Sequence, residues 1–359
     1  MTVLRPLLFT AALVTSLAAS ATTVRIHYNA GAASVSVRAD KGPMSWEKGA
    51  PATRGDAGVW TYTWPDALGD VAMKPALGDD KVAIGGVYRI KAGATADVYP
   101  FFGAPFGKVT TVDKFASPQL HNSRALRIFL PASYNENAAK RYPVLYMQDG
   151  QNLFDAATSL YGVTWGVGTT INRLVATGVM EEVIVVGIDS TPDRIPEYTP
   201  CCDAQYGGGK VDAYGAFVVD TVKPFIDKNY RTLPNKDNTA IMGSSLGALA
   251  AVAIAQRYPD LFSKAAAMSG SFWWNDKAFI TKLPPRVAVK FYLDAGTKND
   301  GLAEVTLMRD ALVKQGYVPD RDVVFHTADG AAHNEAAWAA RVEKPLTWLF
   351  PWGTTKQPQ

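Results

Sequence analysis

The sequence predicts an α/β protein with a mostly parallel sheet, preceded by a small all-β sandwich. Three observations carry this. The chain has 359 residues, 48% of them hydrophobic and 19% charged, which allows two domains and a sizeable core. From Thr22 to about Phe102, short β-branched and aromatic runs are punctuated by Gly, Pro, Asn and Asp, and no helical period is sustained. After the Pro- and Gly-rich stretch "PFFGAPFG" at 100–107, apolar runs alternate with longer helical patterns. Such alternation places helices on both faces of a parallel sheet.

Residues 1–21 read as a cleaved export signal. Arg5 is their only charge, "PLLFTAALVTSLA" supplies the apolar middle, and Ala19-Ser20-Ala21 fits a small-x-small cleavage pattern. The run is too short for a membrane span, and Thr10, Thr15 and Ser16 interrupt it. No transmembrane anchor is expected in the mature chain, which is assigned to the periplasm or the medium. Residues 22–102 form the sandwich, with strands in "TTVRIHYN", "SVSVRAD", "VWTYTW", "DVAMKPAL", "YRIKAG" and "ADVYPFF".

Residues 103–352 form the α/β domain. "ALRIFLP", "YPVLYMQDG", "EEVIVVGID", "NTAIMG", "VAVKFYLDAG" and "RDVVFHTAD" read as strands. "AYGAFVVDTVKPFIDKNY", "ALAAVAIAQRYPDLF" and "NEAAWAARVEKPLTWLF" read as helices, and residues 353–359 as a disordered tail.

The 36 Lys and Arg nearly balance the 33 Asp and Glu, with no long basic run, so nucleic acid is not an expected partner. The two cysteines are adjacent, Cys201-Cys202. Neighbouring Cα atoms lie about 3.8 Å apart, below the usual disulfide range, so the pair is not a disulfide framework; it is a loop dipeptide or an unusual oxidised ring. No nearby His completes a metal site, and no cofactor or metal is expected.

The chemistry centres on Gly243-Ser244-Ser245-Leu246-Gly247, a G-x-S-x-G pattern between an apolar strand and an alanine-rich helix. A strand-to-helix turn that exposes one hydroxyl needs small neighbours. Ser245 is the candidate nucleophile. A base must follow it in the chain, which excludes His27 and His121 and leaves His326 and His333. His326 lies inside a strand pattern. His333 lies in a small-residue loop at a strand's C-terminal end, where catalytic groups gather, and is favoured. Asp300, in the loop beyond Gly296, is favoured as the acid, with Asp294 as the alternative. Oxyanion donors are assigned to the backbone N–H groups of Leu246 and of Gln151 in "YMQDGQNLFD".

"YPVLYMQDGQNLFD", "YRTLPNKDNTAIMGSSLGALAA", "YLDAGTKND" and "AAHNEAAW", in this order, resemble an esterase family of α/β-hydrolases. That family includes enterochelin esterase-like, esterase D-like and feruloyl esterases. The resemblance spans about residues 108–352 and implies an α/β-hydrolase fold and a cofactor-independent serine esterase. It carries over Ser245, His333 and Asp300 as the triad and Gln151 and Leu246 as oxyanion donors. Ala248 departs from it, standing where many relatives have a second glycine.

Residues 22–102 resemble immunoglobulin-like or starch-binding-like modules found ahead of such esterases; Trp46, Trp60 and Trp64 are candidates for a polysaccharide-stacking platform, although tryptophans in a sandwich of this size are more often core or interface residues. Arg194, Glu197 and Tyr198, in the long insertion after "GIDS", resemble an R-x-x-E-Y element; with Trp165 they are candidate substrate contacts. The expected activity is hydrolysis of a small-molecule or glycan-linked ester. Acyl transfer by the same triad, and glycan or envelope binding without catalysis, are the alternatives.

Overall fold

In the computed structural model, residues 20–29, 31–78, 80–353 and 357 are described. Most of the assigned export signal, residues 1–19, lies outside them; Ala21 is already the first residue of a strand, Ala21–His27. Of the assigned tail, Gly353 and Gln357 are described, and the Gln357 side chain bonds the backbone of Arg141. Among the described residues no helix is long and apolar enough to cross a membrane.

The first part is two small stacked sheets. One joins Thr53–Arg54, Val59–Pro65, Ala21–His27 and Thr95–Val98; the other is built on Val35–Ala39 and Val71–Leu77. Alternation in Ala21–His27 turns Val24 and Ile26 inward against Val37, Met73, Trp60 and Trp64. The sandwich is not wholly antiparallel, because Ala21–His27 pairs with Thr95–Val98 in parallel. Trp60 and Trp64 are 4% and 2% exposed and fill the core, the commoner place for tryptophans in a sandwich of this size; of the three, Trp46 alone reaches solvent.

The second part is an eight-stranded sheet: β1 Lys108–Ser117, β2 Asn122–Leu130, β3 Val144–Gln148, β4 Ile184–Ile188, β5 Thr239–Ser244, β6 Lys264–Met268, β7 Lys290–Lys298 and β8 Val323–Ala332. Its spatial order is β1-β2-β4-β3-β5-β6-β7-β8, with β1 and β2 antiparallel and the remaining strands parallel to one another. This is an α/β-hydrolase fold. Alternate residues of each central strand enter opposite cores. Val144 and Tyr146 pack toward the helices 211–229, Leu246–Arg257 and Leu302–Lys314, whereas Leu145 and Met147 pack toward Val167–Ala176 and Glu343–Leu349. Burial on both faces explains why these strands read as unbroken apolar runs.

Several elements differ from the sequence reading. β1 hides in the polar "KVTTVDKFAS" because it is a half-exposed edge strand. β6 is the alanine-rich "KAAAM", which carries no β-branched signal. The expected closing helix is two, Glu335–Ala339 and Glu343–Leu349. The break places Arg341 beneath the active face, where it bonds Asp294, Ser269 and Asp300.

Candidate active site

β5 runs directly into the helix Leu246–Arg257, and Ser245 makes the turn at φ 55°, ψ −126°. A non-glycine residue there costs on the order of 1–3 kcal/mol and persists only where its surroundings hold it. Its N–H bonds the Met268 carbonyl at 3.0 Å, and its carbonyl accepts from Ser271 N–H at 3.1 Å. The flanking glycines are required by space. A Cβ at Gly243 would collide with the Gly247 carbonyl, and one at Gly247 would meet Gln148 Cβ at 3.0 Å and Asp149 Oδ2 at 3.2 Å.

His333 follows the last residue of β8, and Asn334 caps the next helix by accepting from Ala337 N–H at 2.9 Å. The cap fixes how the chain leaves the sheet. His333 Nε2 lies 2.9 Å from Ser245 Oγ, and Nδ1 lies 2.8 Å from Asp300 Oδ1. The structure therefore brings together the three side chains that chain order selected. Its choice between the two acids follows from backbone position. Asp300 leaves the sheet in the loop after β7, whereas Asp294 stays inside the strand and bonds Arg341 Nε at 3.1 Å.

Asp300 is deeply held. Its Oδ2 accepts from Ser269 Oγ at 2.6 Å, Gly296 N–H at 2.5 Å and Arg341 Nη2 at 3.1 Å. Burial pushes its pKa up, but bonds from His333, Ser269 and Gly296 and the Arg341 charge outweigh this and hold it below the usual carboxylate value. Asp294 goes the other way. Burial lifts it to about 6 against the pull of Arg341. Trp338 stands edge-on to His333 at 5.0 Å and donates its indole N–H to Ser269 Oγ at 2.9 Å.

Two cavities flank Ser245. The first, about 620 Å³, is lined by Asp149, Asn152, Tyr161, Arg194 and His333. The second, about 530 Å³, is lined by Leu246, Ser271, Tyr206, Trp273, Trp274 and His333. Ser271 Oγ lies 3.2 Å from Ser245 Oγ. The helix-start N–H groups, Leu246 among them, have no acceptor within their own helix, which leaves a donor beside the serine. The Gln151 side chain is tied to Ser190 by bonds of 2.8 and 3.0 Å, and its neighbours Asp149 and Asn152 line the first cavity.

The other expected contacts divide. Arg194 lines the first cavity and grips Asp149 with two bonds, at 2.7 and 2.9 Å. Glu197 lines neither of these cavities; it is buried against Arg124 and Asn122. Tyr198 is fully buried, and its hydroxyl accepts from Asp149 N–H at 3.2 Å. Two of the three residues thus brace the turn at Asp149, which has φ 55°. Trp165 is 1% exposed and packs on Trp338 at 5.5 Å, in the core cluster with Leu153 and Val167. Cys201 and Cys202 form a disulfide with each other, the oxidised ring that is one of the two readings of the dipeptide. Their loop docks on the second cavity, where Trp274 Nε1 donates to the Pro200 carbonyl at 3.0 Å.

Sequence reasoning passed over Ser269, Ser271, Trp273, Trp274, Arg341 and Asp149. One signal was available: "SGSFWW" follows β6 at a strand's C-terminal end, where ligands bind open α/β sheets.

A family model described as "Putative esterase" matches residues 117–349. The chain belongs to that family. Its activity is accordingly carboxylic-ester hydrolysis. Among curated proteins it is 24% identical over 247 residues to the uncharacterized protein YbbA of Bacillus subtilis, covering 64% of this chain and 93% of that one. It is 25% identical to the iron(III) enterobactin esterase of Dickeya dadantii, covering 67% of this chain and 54% of that protein. It is also 25% identical to the endo-1,4-beta-xylanase/feruloyl esterase of Xylanibacter ruminicola, covering 66% of this chain but only 30% of that protein.

Solved structures agree in fold. A ferulic acid esterase superposes with TM-score 0.55 at 23% identity, over 68% of this chain and 98% of its own. The enterobactin esterase of Shigella flexneri superposes with TM-score 0.54 at 17% identity, over 89% of this chain and 88% of its own. A match that long reaches into the β module as well as the large sheet.

Proposed function

We propose that this member of the esterase family is an exported serine esterase that works through an acyl-enzyme. The observation that carries the reading is the hydrogen-bonded line from Ser245 Oγ through His333 to Asp300. His333 Nε2 takes the Ser245 proton as Oγ attacks the ester carbonyl carbon. The N–H groups of Leu246 and Gln151 hold the resulting oxyanion; a donor of this kind is worth about 2.7–4 kcal/mol. Collapse expels the alcohol, which receives its proton from His333. A water, deprotonated by the same imidazole, then releases the acid and restores Ser245. Asp300 stays ionised, holds the Nδ1 proton and stabilises the transient imidazolium.

The aromatic wall of Tyr206, Trp273 and Trp274 supports a substrate with a flat ring, such as the feruloyl ester named in one relative. Arg194 supports a polar or anionic group in the other cavity. The decisive experiment is rapid-mixing hydrolysis of p-nitrophenyl acetate. The intact chain should release a burst of p-nitrophenol equal to the enzyme concentration wherever deacylation is slow, and Ser245→Ala should abolish turnover. Full activity in Ser245→Ala would remove the serine from the mechanism.

A further inference from the structure

We propose that Asp294 is a positioning residue of the hydrolytic site: it balances the charge of Arg341, so that Asp300 keeps its own charge for His333. The inference rests on the triad reading above and deepens it.

The three charged side chains form one buried cluster. Asp294 and Asp300 side chains are 0% exposed and Arg341 is 5% exposed. Arg341 Nε donates to Asp294 Oδ1, Nη2 is shared between Asp300 Oδ2 and Ser269 Oγ, and Nη1 donates to the Ala337 carbonyl. The guanidinium therefore bridges the acid facing His333 and a second acid that does not.

The buried hydroxyl of Tyr292 stands beside Asp294 and interacts with its carboxylate, so the partners of Asp294 are one phenol and one guanidinium. A buried carboxylate held by so few groups is costly. Charge supplies a reason to keep it. Above about pH 6, where Asp294 is ionised, two carboxylates and one guanidinium leave one net negative charge behind a neutral His333, and the cluster becomes neutral when His333 takes the serine proton. Without Asp294, Arg341 would neutralise Asp300, and the imidazolium would form beside a cluster with no net charge to offset it. An opposite charge nearby favours the charged form. The arrangement thus matches the transition state better than the resting state.

Other charged groups face these residues. Around His333 they are Glu335 on its own segment, Lys298 at the end of β7, and Asp149 and Arg194 across the cavity, the last two paired with each other. Around Asp294 they are Tyr292, Arg341 and His326, its neighbour on β8, which itself feels Lys344. All are retained in Asp294→Asn, so a difference reads the Asp294 charge.

The test is the pH profile of kcat/KM for p-nitrophenyl acetate with the full chain. In Asp294→Asn the acid limb should move to lower pH by on the order of one unit. On the plateau kcat should fall by about tenfold, with KM unchanged. Arg341→Met should move the limb to higher pH, and Arg341→Lys should leave it in place.

An unmoved or raised limb in Asp294→Asn, or an equal loss at every pH, would overturn the proposal. If Asp294→Asn lost its cooperative thermal unfolding, the Arg341 pair would decide: equal limbs in the Met and Lys variants would overturn it. Ser245→Ala separates the two readings. If that variant kept its activity, the triad itself would fail; if it were dead and the limbs did not move, only the role of Asp294 would fail.

Discussion

The β module and the rim of the large sheet both carry tryptophans, and they use them differently. In the module Trp60 and Trp64 lie between two sheets, with only Trp46 at the surface. At the rim, Trp273 is 41% exposed and lines the cavity at Ser245, while its neighbour Trp274 is buried and anchors the Cys201–Cys202 loop through Pro200. Residue type does not separate these roles. Position does: strand alternation forces every second side chain of Val59–Pro65 inward, whereas a turn beyond β6 leaves a ring free to meet a ligand.

The contrast can be broken from either side, and the largest effects are expected at the rim. Ser245→Ala should lower kcat/KM by about 10⁴-fold or more, with thermal unfolding unchanged. Asp300→Asn should cost about 10³–10⁴-fold, chiefly in kcat, because the imidazole loses the partner that sets its tautomer; a loss confined to KM would contradict this. Trp64→Ala should remove about 3–5 kcal/mol of stability, read by denaturant titration, while kcat of the folded fraction stays the same. Trp273→Ala should raise KM for an aromatic ester by about fivefold, roughly the worth of one aromatic contact, and leave a short alkyl ester unaffected. Trp46→Ala should change neither stability nor esterase activity by more than the scatter of the assay.

Legibility follows the same division between local and distant causes. The turn at Ser245 was readable because its requirement is local: two glycines, a strand before and a helix after. His333 and Asp300 were readable because chain order and strand-end loops restrict the choice. Arg341 was not readable, since it reads as one more polar residue of a helix until the break between Glu335–Ala339 and Glu343–Leu349 turns it beneath the sheet. Trp165 misled because its Gly-rich surroundings look like a loop, yet its ring packs on Trp338 in the core. Glu197 misled because its partners, Arg124 and Asn122, come from β2, distant in the chain. The Cys201–Cys202 ring is one of the two readings the dipeptide leaves open, because adjacency rules out a framework disulfide but does not set the redox state of the pair.

The central claim is that one serine does the chemistry. Titration with a fluorophosphonate, followed by peptide mass spectrometry, tests it most directly. The account predicts one label per chain, carried by Ser245, with activity lost in proportion to labelling. Activity that survived complete labelling of Ser245, or was lost with the label on another residue, would contradict it.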